Sequence, residues 1–194
     1  MPREMPSPAV ELLAALRVAL DRLGVRWYLF GAQAVIAYGA PRLTADADVT
    51  VELGRHAPEV LVSELEAQGF RLRVRNVADF VQRTRVLPFV HTASELPLDV
   101  VLAGPGPEEL FLARARPVRF GDVEVPVIAP EDLVAVKLLA GRPQDLHDVA
   151  GVLRAKSDEL DLQLVRSTLA LLETALDRRD LTPELERILL RVGR

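Results

Sequence analysis

The chain contains no cysteine. A disulfide framework and a thiolate metal site are therefore excluded. Its three histidines, His56, His91 and His147, are scattered along the sequence, and none is given a role. Lysine is almost absent: only Lys137 and Lys156 stand among the 24 basic residues, the rest being Arg. No stretch approaches ~20 uninterrupted apolar residues, so no transmembrane helix is expected. The opening MPREMPSPAVELLAAL lacks an apolar core followed by a small-residue cleavage site, so no secretory signal is expected and the location reads as cytoplasmic. There is no Gly-x-Ser-x-Gly, no His-Glu-x-x-His and no P-loop, which leaves hydrolase, zinc-protease and P-loop readings without an anchor. Net charge is −4, and a general polyanion binder is usually basic. No internal repeat or low-complexity tract is present.

What is there suits a folded domain. At 194 residues, 49% of them apolar, the chain can bury a core as one domain, or one with a small helical extension. Residues 8–23 have the spacing of an amphipathic helix, with Ser7 as N-cap, Pro8 at the first position and Gly24 as stop. A strand is expected over 27–30, a helix over 33–38 stopped by Gly39-Ala40-Pro41, a strand over 49–53 and a helix over 58–68. Alternation of apolar residues with Arg predicts a strand over 70–75. Another is expected within 80–91, interrupted at Leu87-Pro88, then one over 96–103. A helix over 108–116 and a hairpin around Gly121-Asp122 follow. From Ile128 the pattern turns helical: 130–140, 144–155, about 161–178 and 183–192. An α/β (α+β) front, residues 1–128, is thus followed by a C-terminal helical bundle, residues 129–194.

The chemistry concentrates in YLFGAQAVIAYGAPRLTADADVTVE, residues 28–52. Successive strand residues face opposite sides, so Asp46, Asp48, Thr50 and Glu52 share one face and Ala47, Val49 and Val51 the other. Two adjacent carboxylates repel unless a cation or a shared proton joins them. All-oxygen ligation suits Mg²⁺, which keeps waters and bridges to phosphates. The Gly31-Ala32 turn opens a helix, whose free N–H groups and dipole favour a phosphate. The alternative is a pair of solvated strand-end acids beside a turn glycine.

Further residues carry charge in pattern. Asp99 is the one acid in the apolar run LPLDVVLA. Asp145 and Asp148, three apart, share a helix face. Arg71, Arg73 and Arg75, then Arg83 and Arg85, alternate along the chain, either as a solvated face of two strands or as a surface for RNA phosphates.

Gly31…Ala34…Tyr38-Gly39…Arg42-x-Thr44-x-Asp46-x-Asp48 resembles nucleotidyltransferases of the polymerase-beta-like superfamily, in their AbiE-like, type IV toxin–antitoxin branch or a related uncharacterised nucleotidyltransferase family. Ala32 stands where that family usually carries Gly or Ser. APEDLVAVKLLAGRPQDLHDVAGVL resembles a second pair of motifs of the same branch, at Lys137 and at Arg142, Asp145 and Asp148. The likeness runs over roughly residues 25–155. It implies a nucleotidyltransferase fold with a small mixed sheet flanked by helices. It implies Mg²⁺ held by Asp46, Asp48 and Asp99, and an NTP such as ATP whose phosphates meet Gly31, Ala32, Arg42, Thr44 and Lys137. Asp145 or Asp148 would serve as proton acceptor or structural partner. The acceptor hydroxyl would belong to tRNA, a protein or a small molecule, and a cognate antitoxin is implied. A catalytically inactive binding module of the same fold is the alternative.

Overall fold

A Ser, a Pro and a left-handed Gly bound the first helix of the computed structural model, which describes residues 7–40, 42, 44 and 46–193. The Ser7 hydroxyl accepts the Val10 amide at 3.4 Å, Pro8 occupies the first turn, and Gly24 closes helix α1 (Pro8–Leu23) at φ 63°. Its stripe of Leu12, Leu13, Leu16 and Leu20 is at most 1% exposed, each such leucine contributing roughly 1.5–3 kcal/mol of transfer free energy. The chain divides into two units: Met1–Gln33 with Thr44–Val127, and Ala34–Leu43 with Ile128–Arg194.

The first unit is built on a seven-stranded mixed sheet. Its strands are β1 (Arg26–Phe30), β2 (Ala47–Glu52), β3 (Phe70–Leu72), β4 (Val86–His91), β5 (Pro97–Leu102), β6 (Arg116–Phe120) and β7 (Val123–Val127). Their order is β3-β4-β5-β2-β1-β7-β6. β2 lies parallel to β5, and β1 parallel to β7; the other neighbours are antiparallel. Helices α1, α3 (Pro58–Ala67), α4 (Val77–Thr84) and α5 (Pro107–Arg114) accompany the sheet, and α1 packs on α3 and β7. β4 and β5 alternate strictly between buried and half-buried residues. Leu87, Phe89, Leu98 and Val100 fill the core, while Pro88, Asp99 and Val101 lie on the more open face. Helix α2 (Gly31–Ala37) follows β1 directly.

The second unit is helical, with α6 (Pro130–Ala140), α7 (Pro143–Ala155), α8 (Leu162–Leu176) and α9 (Leu181–Val192). α6 packs against α7, α8 and α9. It buries Leu133, Val134 and Leu138, and with them the polar Glu131, Asp132 and Lys137. The Tyr38 hydroxyl donates to the Ile128 carbonyl at 2.6 Å, fixing the 34–43 segment within this unit. Among the described residues, no helix is long and apolar enough to cross a membrane.

Two expectations change, and one helix is added. The strand expected over 70–75 ends at Leu72, and Arg73 makes one more ladder bond, donating its amide to the Pro88 carbonyl at 2.9 Å. The strand expected within 80–91 is β4, and ahead of it residues 77–84 form a helix that was not among those expected. Asn76 caps it by accepting the Asp79 amide at 3.2 Å, and Arg85 ends it in the left-handed region at φ 56°. Leu87-Pro88 does not interrupt β4, because a proline carbonyl still accepts and only its missing N–H is lost to the ladder. Pro41, expected to help stop α2, lies outside the described residues.

Candidate active site

In the first unit, β2 and β5 run parallel with Asp48 directly beside Asp99. Paired residues of neighbouring strands share a face, so both carboxylates rise from the open side of the sheet. The same row continues on either flank: Phe30 pairs with Asp48, Pro88 with Asp99, and Arg73 with Pro88 through its backbone. β1 ends at this row and turns into α2 at Gly31, whose φ is 65°. A β-carbon on residue 31 would stand 1.9 Å from Asp48 Oδ2. Glycine is thus required twice, for its backbone region and because the Asp48 carboxylate occupies the space a side chain would need.

Asp46 is anchored beside the beginning of β2. Its carboxylate accepts from the Thr44 hydroxyl, its amide donates to Thr44 Oγ1 at 3.4 Å, and its carbonyl accepts from Gln33 Nε2 at 3.3 Å. Burial raises the proton affinity of Asp99. The Arg73 charge works against that rise, and the Asp46 charge adds to it. Three carboxylates without sulfur or imidazole fit a hard divalent cation by donor type. Among the described residues, no group of three or more such side chains is already gathered as a cation cage.

In the second unit, a left-handed Gly141 at φ 64° separates α6 from α7, and Pro143 begins α7. That turn brings Lys137, in the last turn of α6, against the first turns of α7. Its Nζ donates to Asp145 Oδ1 at 2.8 Å and to Asp148 Oδ2 at 2.9 Å. All three side chains are at least nine-tenths buried. Arg142 reaches Asp145 at 2.5 and 3.2 Å, Gln144 Nε2 donates to Asp148 Oδ1 at 3.2 Å, and Arg42 pairs with Asp148. Burial pushes the Asp145 carboxyl up, but hydrogen bonds from Arg142 and Lys137 outweigh it and hold the group below the usual carboxylate range. Asp148 also borders a cavity of about 380 Å³, lined further by Val35, Gly39, Ala40, His147, Gly151 and Arg154.

The expected site residues thus fall into two sets. Gly31, Ala32, Thr44, Asp46, Asp48 and Asp99 belong to the first unit; Arg42, Lys137, Asp145 and Asp148 belong to the second. One guanidinium nitrogen of Arg42 and the hydroxyl of Thr44 are engaged by Asp148 and Asp46. Two of the three donor hydrogens of Lys137 are taken by carboxylates. Sequence reasoning missed Gln33, Gln144 and the place of Arg73 in the Asp99 row. Gln144 was signalled by its position four before Asp148 on one helix; Gln33 carried no such signal. His91 is buried, with Nδ1 2.8 Å from Ser94 Oγ, and burial lowers its proton affinity.

Comparisons with known proteins agree with this fold. A family model described as nucleotidyl transferase AbiEii toxin, type IV TA system, matches residues 12–192. The solution structure of the antibiotic-resistance factor ANT(2'')-Ia is similar at a TM-score of 0.63 and 16% identity, over 89% of this chain and 95% of that one. A crystal structure of ANT(2'')-Ia in complex with adenylyl-2''-tobramycin gives 0.60 and 15%, over 86% and 98%. The lincosamide antibiotic adenylyltransferase LnuA, lincomycin-bound, gives 0.51 and 15%, over 76% and 98%. At such identities these structures establish the fold. No curated protein matches the sequence.

Proposed function

The chain belongs to the AbiEii family of nucleotidyl transferase toxins of type IV toxin–antitoxin systems, and from that premise we propose that it transfers a nucleoside monophosphate from an NTP to a hydroxyl acceptor with the help of Mg²⁺. It is a nucleotidyltransferase; the metal, the acceptor and a cognate antitoxin as partner belong to the proposal. The observation that carries it is the pairing of Asp48 with Asp99 on one open face, with the Asp48 carboxylate seated against Gly31.

Asp46, Asp48 and Asp99 are the residues that would hold Mg²⁺. When bound, the ion neutralises charge on the α-phosphate and on the departing pyrophosphate. The Gly31-Ala32 turn offers backbone N–H groups to the phosphates, and Ala32 supplies its amide without a hydroxyl. The acceptor oxygen forms a bond to the α-phosphorus, the bond from that phosphorus to the bridging oxygen breaks, and pyrophosphate leaves. Asp99 is the acid with raised proton affinity, and we assign the acceptor proton to its carboxylate. Asp145 and Asp148 both accept from the Lys137 ammonium, so they act as positioning residues for Lys137.

The test incubates the protein with Mg²⁺ and each α-labelled NTP, with and without total tRNA, and follows label and pyrophosphate. Label on RNA, or on the protein itself, identifies the acceptor class. Asp48→Asn is expected to lose transfer while keeping the fold; unchanged pyrophosphate release by that variant overturns the metal-site assignment. Absence of label with every NTP, together with no NTP-induced thermal shift, replaces transfer with the inactive binding module.

A further inference from the structure

The row of paired residues that carries Asp48 and Asp99 ends at the sheet edge on an arginine. Arg73 follows β3, the edge strand, and bonds across to Pro88, which pairs with Asp99. Arg71 lies two residues earlier, paired with Val90 and so on the same face. Strands stand about 4.8 Å apart, so Arg73 is rooted about 10 Å from Asp99 with one strand between, and its charge is felt at that carboxylate. Both arginines are exposed. Among the described residues, neither makes an ion pair or a side-chain hydrogen bond.

Of the other arginines of the alternating run, Arg83 and Arg85 are occupied, and Arg75 lies beyond the end of β3. Arg83 pairs with Asp79 at 2.7 Å. Arg85 donates to the Leu102 carbonyl at 2.6 Å and lies over Gly104, where a β-carbon would meet its guanidinium at 2.3 Å. Arg71 and Arg73 are the members of the positive run that the β3–β4 ladder holds on the face of Asp99. A polycationic acceptor would be repelled there. An anion would be held, and a guanidinium fork matches phosphate oxygens in pairs.

We propose that Arg71 and Arg73 form a phosphate-binding edge of the active face, and that the acceptor is a phosphate-bearing molecule whose free hydroxyl lies one sugar phosphate away, at Asp99. The proposal rests on the transfer reading above. The acceptor's own phosphate is not altered; it fixes which hydroxyl meets the α-phosphate, which is how positioning becomes rate.

The experiment has a transfer arm and a binding arm. Transfer of α-labelled NTP is compared for adenosine, AMP and a short RNA oligomer, with wild type, R71Q/R73Q and the control R83Q. AMP or the oligomer is expected to surpass adenosine by about tenfold or more, and R71Q/R73Q to raise KM for that acceptor by about tenfold, as expected for lost charge-assisted phosphate contacts. R83Q is expected to match wild type. An advantage of the oligomer over AMP assigns the phosphate to a nucleic-acid strand, and equality assigns it to a small phosphorylated molecule. In the binding arm, equilibrium binding of AMP and of the oligomer is measured without NTP, and NTP-induced thermal shift is measured separately. Loss of acceptor binding in R71Q/R73Q with the NTP shift retained supports the edge. Adenosine equal to AMP and RNA, an unaffected R71Q/R73Q, or no binding of either phosphate-bearing probe by wild type overturns it, leaving the arginines to keep an edge strand from pairing with other chains. Binding without any label transfer overturns the transferase reading instead.

Discussion

The Asp48 carboxylate sits where residue 31 would carry a side chain, 1.9 Å from an ideal β-carbon on Gly31. Gly31→Ala therefore meets two penalties, roughly 1–2 kcal/mol for a left-handed backbone and displacement of an acid from its place. A misplacement of about 1 Å can cost on the order of a hundredfold in rate. Label transfer by Gly31→Ala is expected to fall by at least that factor, and Ala32→Gly to stay within severalfold of wild type. Equal activity in the two variants would contradict the assignment of Asp48.

Lys137 holds two buried carboxylates together. Removing one partner of a buried ionic cluster leaves uncompensated charge, typically costing about 3–5 kcal/mol. Lys137→Met is expected to lose about 3 kcal/mol in a urea titration. Arg142 also contacts Asp145, but its side chain is 75% exposed; Arg142→Gln is expected to lose about 1 kcal/mol or less. Similar losses for both would show that burial does not set the strength of this cluster.

Asp99 predicts a dependence on pH. Its folded proton affinity is raised by burial and, after the opposing effect of Arg73, by Asp46. The folded state therefore holds this proton more tightly than the unfolded state, and the group costs stability once it ionises. Wild type and Asp99→Asn are expected to melt alike below the usual carboxylate range. Above it the variant is the more stable, by no more than a degree or two, because solvent screens a partly exposed carboxylate. Parallel melting curves across the whole pH range would remove the raised affinity from the account.

Asp161 separates stability from chemistry. Its carboxylate accepts the Gln163 and Leu164 amides at 2.9 and 3.0 Å and caps α8. Asp161→Ala is expected to cost about 1 kcal/mol and to leave transfer per folded molecule unchanged. A larger effect on transfer than on folded fraction would give α8 a part in the chemistry.

Much of this was legible in the sequence because local rules agreed with one another. Ser7-Pro8, Gly24, Pro130 and Gly141 mark helix ends where they occur. The spacing of Asp46 and Asp48, the lone Asp99 and the i, i+3 pair Asp145 and Asp148 identified the charged groups before their surroundings were known. What stayed hidden depended on pairing at a distance. Val77, Phe80, Val81 and Thr84 favour strands as single residues, yet the Asn76 cap turns them into a helix that buries none of its residues. That Lys137 touches both acids follows only from the packing of α6 on α7. The place of Arg73 depends on the register of β3, β4 and β5 together.

The parallel pairing of β2 with β5 has a consequence in time. Parallel neighbours need a crossover, and here residues 53–96, with α3, β3, α4 and β4, are made between Asp48 and Asp99. A pairing of such sequence separation closes slowly. During synthesis the Asp-x-Asp strand leaves the ribosome well before its partner, so a nascent chain carries Asp46 and Asp48 without Asp99. On the assignment proposed for these acids, transfer would begin only once the sheet is complete.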